Sequence, residues 1–149
     1  GYPYEILGGL SSQISIPKKH IKGTLIKHPK KSKNSVYEFK AGIADDEVII
    51  KDVVKAFDNP DHASFTRILS LAMRHGATAQ YVVEQLVKGS DKDMNLFSFA
   101  KSVSRVLKNY ILDGTAPAGD KDCPNCGSKD SLRYSEGCVL CTSCGSGKC

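Results

Sequence analysis

The chain has 149 residues, 40% of them hydrophobic, 25% charged and 7% aromatic, with a formal net charge of +5. That length predicts one domain with at most a small appendix, and the apolar fraction suffices for a core, which excludes wholesale disorder. No apolar run approaches the roughly 18 residues of a membrane-spanning helix, and the opening Gly1-Tyr2-Pro3-Tyr4-Glu5 does not begin a signal peptide, so a soluble cytoplasmic protein is expected.

The positive charge is local. No carboxylate lies between Ile6 and Tyr37, while Lys18, Lys19, Lys22, Lys27, Lys30, Lys31 and Lys33 account for the excess over the acidic residues. Such a stretch can attract the phosphates of nucleic acid or nucleotides. No aromatic residues interleave with it as a stacking surface would require. Solvated lysines protecting the edges of a hairpin are the preferred reading.

In chain order, the first apolar stretches read as strands: residues 4–7, 14–16, 24–26, 36–39 and 48–50. They are rich in β-branched and aromatic residues and are divided by Gly8-Gly9, Pro17, Pro29 and Asp45-Asp46. Residues 28–34 are polar and read as a hairpin loop. From Asp52 the period becomes helical, with a short helix expected over 52–57. Asn59-Pro60-Asp61 then supplies a cap, a first-turn proline and an early acid. Phe65, Ile68, Leu69 and Ala72 follow on one face, and Gly76 marks the stop. Thr78 can cap a second helix burying Val82, Val83, Leu86 and Val87, ended by Gly89. A third helix is expected from about Leu96 to Leu112, with Phe99, Ala100, Val103, Val106, Leu107, Tyr110 and Ile111 on its apolar face.

The expected fold is therefore α+β: a small antiparallel sheet packed with three to four helices over 1–112. Residues 113–122, Asp-Gly-Thr-Ala-Pro-Ala-Gly-Asp-Lys-Asp, have no apolar periodicity and read as a mobile linker. A cysteine-rich zinc ribbon over 123–149 completes the chain.

All six cysteines lie in that last segment. Two Cys-x2-Cys-Gly turns separated by a short hairpin are a strong zinc signature. Each turn aims two thiolates at one centre, and the glycine permits the positive φ that follows. Nothing marks secretion, so a disulfide framework is the weaker alternative. The preferred zinc set is Cys123, Cys126, Cys141 and Cys144, with the hairpin turning at Glu136-Gly137, which frees Cys138 and Cys149. A second set, Cys123, Cys126, Cys138 and Cys141, would free Cys144 and Cys149. An uncoordinated cysteine at the end of the sequence suits thiol–disulfide exchange, so Cys149 with Cys138 (or with Cys144 under the second set) is the candidate redox pair. Arg74 and His75, at a helix end, could hold phosphate, but satisfying the terminal carbonyls is the preferred role.

The runs over 63–76, 80–86, 97–101 and 105–111, with the opening Pro3-Tyr4-Glu5-Ile6 and the cysteine tail, resemble the C-terminal part of ribonucleotide reductase large chains. The resemblance is greatest to the adenosylcobalamin-dependent (class II) kind. It implies a C-terminal piece or split subunit of a ribonucleoside-diphosphate reductase that makes deoxyribonucleotides for DNA synthesis. In that family a ten-stranded α/β barrel carries the radical chemistry, and a cysteine-bearing tail re-reduces the active-site cysteine pair. The barrel would bind the ribonucleotide and adenosylcobalamin, neither of which any residue here is expected to hold. The implied partners are that barrel and a protein or small-molecule dithiol, with no membrane. No activity is expected from this chain alone. A stand-alone zinc-ribbon module binding nucleic acid through Lys18 to Lys33 is the alternative.

Overall fold

Strands β1 (Thr24–His28), β2 (Val36–Ala41) and β3 (Val48–Ile50) pair in that order, antiparallel throughout. The register sets Ile26 opposite Glu38 and Lys40 opposite Ile49. These elements come from a computed structural model that describes residues 2–29, 35–88 and 98–148. The expected loop over 28–34 falls mostly outside the described residues. The chain divides into two compact units, 6–68 on one side and 1–5 with 69–149 on the other.

In the unit of residues 6–68, Tyr37 and Ala41 of β2 are buried. Two expected strands, 4–7 and 14–16, are not strands, and 52–57 forms turns instead of a helix. Tyr4 and Ile16, one in each segment, are exposed, and between the two segments the chain is held by bonds at Leu10 and Ser12. Asp58 accepts hydrogen bonds from the Ser12 backbone N–H at 2.6 Å and from its hydroxyl at 3.1 Å. The Asp58 N–H donates to the Leu10 carbonyl. Gly9 permits the close approach of Phe57, whose ring would lie 2.2 Å from a Cβ there. Lys19 is paired with Asp46 at 2.5 Å, and Lys27 sits 5.4 Å from the centre of the Tyr37 ring. Lys30, Lys31 and Lys33 lie outside the described residues.

Helix α1 spans Pro60–Arg74, and its start is the one the sequence announces. The Asn59 carboxamide accepts from the Asp61 N–H at 2.8 Å, and Pro60 opens the first turn, where its missing donor costs nothing. It ends in a Schellman arrangement: Ala77 N–H bonds the Ala72 carbonyl, Gly76 N–H bonds the Met73 carbonyl, and Gly76 takes φ +98°.

In the other unit, α2 (Ala79–Lys88) is capped by Thr78, whose hydroxyl accepts from the Tyr81 N–H, and buries Ala79, Val82 and Val83. Helix α3 (Phe99–Lys108) starts at Ser98, which accepts from the Lys101 N–H, and buries Val103, Ser104 and Leu107. The expected start near Leu96 and the stop at Gly89 lie outside the described residues. Strands β4 (Leu132–Ser135), β5 (Cys138–Cys141) and β6 (Gly147–Lys148) form a second antiparallel sheet. Its β4–β5 turn has positive φ at both Glu136 (+49°) and Gly137 (+78°), the primed geometry that matches strand twist. Among the described residues there are thus two three-stranded sheets and three α-helices, an α+β fold. No helix among them is long and apolar enough to cross a membrane.

Residues 113–122 differ from the mobile linker expected. Gly114 N–H bonds the Tyr134 carbonyl, Tyr134 N–H bonds the Thr115 carbonyl, and both Ser131 and Leu132 N–H groups reach the Lys121 carbonyl. On the opposite side, Gln80 donates to the Ala116 carbonyl at 2.9 Å and Glu84 accepts from the Ala118 N–H at 3.1 Å. The segment is a strap between α2 and β4.

Candidate metal centre

The two cysteine turns fold alike because their sequences repeat: Cys123-Pro-Asn-Cys-Gly-Ser128 and Cys141-Thr-Ser-Cys-Gly-Ser146. In each, the first cysteine's N–H bonds the carbonyl of the terminal serine, at 2.9 and 2.8 Å. In each, the glycine N–H returns to the first cysteine's carbonyl, at 2.8 and 2.9 Å. Gly127 and Gly145 take φ +71° and +72°, which only glycine adopts without strain.

These turns bring Cys123, Cys126, Cys141 and Cys144 together, with all four Sγ atoms within 4.8 Å of one another. The Cys123–Cys144 and Cys126–Cys141 sulfur pairs are each 3.8 Å apart. Tetrahedral Zn–S bonds of about 2.3 Å require sulfur–sulfur edges of about 3.8 Å, so the donor set and its spacing fit a tetrathiolate zinc ion. The first cysteine of each turn is buried and the second exposed.

Hydrogen bonding divides the proton affinities of the cluster. Cys141 is drawn down to about 6, led by the Ser131 hydroxyl and aided by the Cys144 and Ser143 N–H groups, against the opposing effect of burial. Cys126 is lowered first by the Ser128 side chain. For Cys123 the Cys126 N–H favours the thiolate, yet burial and the thiols of Cys141 and Cys126 outweigh it and push the group up to about 11. A divalent cation would displace the remaining protons, since thiolate is the ligand form.

Ser128, Ser131 and Asn125 were not singled out from the sequence. Ser131 is buried, donates to the Ser128 carbonyl at 2.8 Å and lies 3.3 Å from the Cys141 sulfur. Asn125 donates toward the Cys144 sulfur at 3.7 Å. The readable signal for Ser128 was the serine that follows both Cys-x2-Cys-Gly turns. Ser131 belongs to no such repeat.

Cys138 stands outside the cluster. It opens β5 opposite Ser135, three residues before Cys141, and it is disulfide-bonded while the four cluster cysteines are free thiols. Cys149 lies outside the described residues. Arg74 donates to the Ser70 carbonyl and sits 5.9 Å from the centre of the Tyr4 ring, contacts that suit a helix-end role.

No curated protein and no solved structure matches the chain. A family model does, that of the NrdJ homologue C-terminal domain, over residues 1–112, so the matched region ends where the strap and cysteine turns begin. With three quarters of its length matched, the chain belongs to the NrdJ homologue C-terminal domain family, a ribonucleotide reductase-related C-terminal domain.

Proposed function

We propose that the chain is the reductant-handling C-terminal portion of a ribonucleoside-diphosphate reductase of the adenosylcobalamin-dependent kind. Cys123, Cys126, Cys141 and Cys144 hold a structural zinc ion, while Cys138 and Cys149 relay reducing equivalents. The observation that carries this reading is the separation of two cysteine populations: four free thiols at tetrahedral spacing, and Cys138 in a disulfide outside them.

The relay proceeds by thiol–disulfide exchange. An external dithiol first reduces the tail disulfide, giving up two electrons and two protons and becoming a disulfide itself. The Cys149 thiolate then attacks the disulfide left in the barrel by turnover, forming a mixed disulfide and releasing one barrel thiol. Cys138 resolves it, releasing the second barrel thiol and closing the tail disulfide again. Adenosylcobalamin would supply the radical in the barrel portion. No residue of this chain is assigned to it, or to the ribonucleotide. Held by Cys123, Cys126, Cys141 and Cys144, a zinc ion would tie the two cysteine turns together and so steady the sheet that carries Cys138.

The test is turnover with the complementary barrel portion and a protein dithiol as reductant. Cys149→Ser and Cys138→Ser each stop multiple turnover while a single turnover from pre-reduced protein survives, and a small dithiol able to enter the barrel rescues both. Undiminished multiple turnover in both variants contradicts the relay.

A further inference from the structure

The strap that replaces the expected linker is held by a matched set of groups. Gln80 and Glu84 stand four residues apart on α2, hence on one face, and Gln80 Nε2 donates to Glu84 Oε1 at 3.0 Å. The strap turns toward them one carbonyl and one N–H, on either side of Pro117, which has no N–H of its own. Gln80 Nε2 meets the Ala116 carbonyl and Glu84 Oε1 meets the Ala118 N–H. Burial, then the Glu84 charge, raises the Tyr134 phenol above its ordinary value.

The far end of the β4–β5 hairpin is seated as well. Asp113 accepts from the Glu136 N–H at 2.8 Å. A Cβ on Gly137 would lie 3.0 Å from the Asn109 carboxamide oxygen, just past the end of α3. Cys138 is the next residue. The disulfide therefore lies at the seated end of the hairpin, and the thiol cluster lies at the other.

We propose that Gln80 and Glu84 form a two-point clasp that seats the strap and its hairpin on the α2–α3 pair, and that opening this clasp governs access of a dithiol to the Cys138 disulfide. The second half rests on the relay reading, and the first does not. Glu84 and Gln80 act as positioning residues: they touch no reacting sulfur and work through the strap.

The experiment uses the zinc-loaded full chain and Glu84→Ala. Amide hydrogen exchange at Ala118 and Gly114 accelerates about tenfold, the consequence of losing one charge-assisted bond to a backbone N–H. Reduction of the Cys138 disulfide by thioredoxin, in which two electrons and two protons pass to the disulfide, accelerates by a similar factor. Zinc content and exchange at Val103 and Leu107 stay unchanged. Glu84→Gln, which keeps an acceptor oxygen, restores slow exchange at Ala118. Gln80→Ala, which removes the bond to the Ala116 carbonyl and the one to Glu84, carries the same expectation and serves if Glu84→Ala does not fold. Unchanged exchange at Ala118 and Gly114, or acceleration that extends to Val103 and Leu107, overturns the clasp. Faster exchange with unaltered reduction overturns its control of the disulfide. Reductase turnover indifferent to Cys138→Ser would remove the relay and leave the exchange results standing, so the two failures are read apart.

Discussion

The hydroxyl of Ser131 lies 3.3 Å from the sulfur of Cys141, and both residues are buried. A serine hydroxyl has a single hydrogen. In the thiol form Cys141 donates to Ser131, which donates in turn to the Ser128 carbonyl. Once a metal takes the thiol proton, the Ser131 hydrogen can turn to the sulfur and share its charge. Ser131→Ala is expected to weaken zinc binding about 10- to 100-fold, the usual cost of losing a group that supports a ligand. Competition with a chromophoric chelator measures it, and affinity within twofold of the parent chain would contradict the assignment.

Leu107 of α3 is 2% exposed and among the most buried side chains of its unit. Truncating it removes buried apolar surface and leaves a cavity, so Leu107→Ala should cost about 2–5 kcal/mol. Val106, one residue earlier, is 60% exposed. Val106→Ala should change stability by no more than about 0.5 kcal/mol. Urea denaturation of the two variants separates the apolar face of α3 from its neighbour.

Gly137 and Gly76 share a positive φ, +78° and +98°, but differ in surroundings. A Cβ at Gly76 meets nothing within 4 Å, whereas one at Gly137 would press on Asn109 at 3.0 Å. Gly76→Ala should cost about 1 kcal/mol from backbone strain alone. Gly137→Ala should cost more, and adding Asn109→Ala should recover part of the difference. Equal losses at the two glycines would mean that the hairpin turn is not seated on α3.

Glu38 accepts from His28 and Lys40, each at 2.9 Å. Lys40 first and His28 next hold its carboxyl below the ordinary value of 4.5. A carboxyl depressed in the folded state contributes stability above its unfolded value, and that contribution is lost as pH falls through the folded value. Glu38→Gln should therefore lower the melting temperature at pH 7, with the gap from the parent chain closing as pH falls below 4.5. A gap that persists unchanged to pH 3 would contradict the pairing.

What the sequence made legible was local. The start of α1 at Asn59-Pro60-Asp61 and its end at Gly76 involve bonds spanning five residues or fewer, so residue types alone announce them. The repeated cysteine turns are equally local, whereas the meeting of Cys123, Cys126, Cys141 and Cys144 spans 15 to 21 residues and comes from the hairpin between the turns. Residues 14–16 read as a strand because their apolar pattern is that of a strand, but Ile16 is exposed and the segment joins no ladder. Residues 113–122 read as a free linker for another reason. Their Gly/Pro/Asp composition is that of any free linker, and they are held through backbone groups whose partners on α2 are 34 and 36 residues away. Composition carries no trace of such bonds.

The central claim is that the metal thiols and the redox thiol are different cysteines. Metal analysis of the purified chain beside Cys144→Ser and Cys138→Ser tests it most directly. The account predicts one zinc ion per chain in the parent and in Cys138→Ser, and none in Cys144→Ser. Zinc lost from Cys138→Ser and retained by Cys144→Ser would contradict it.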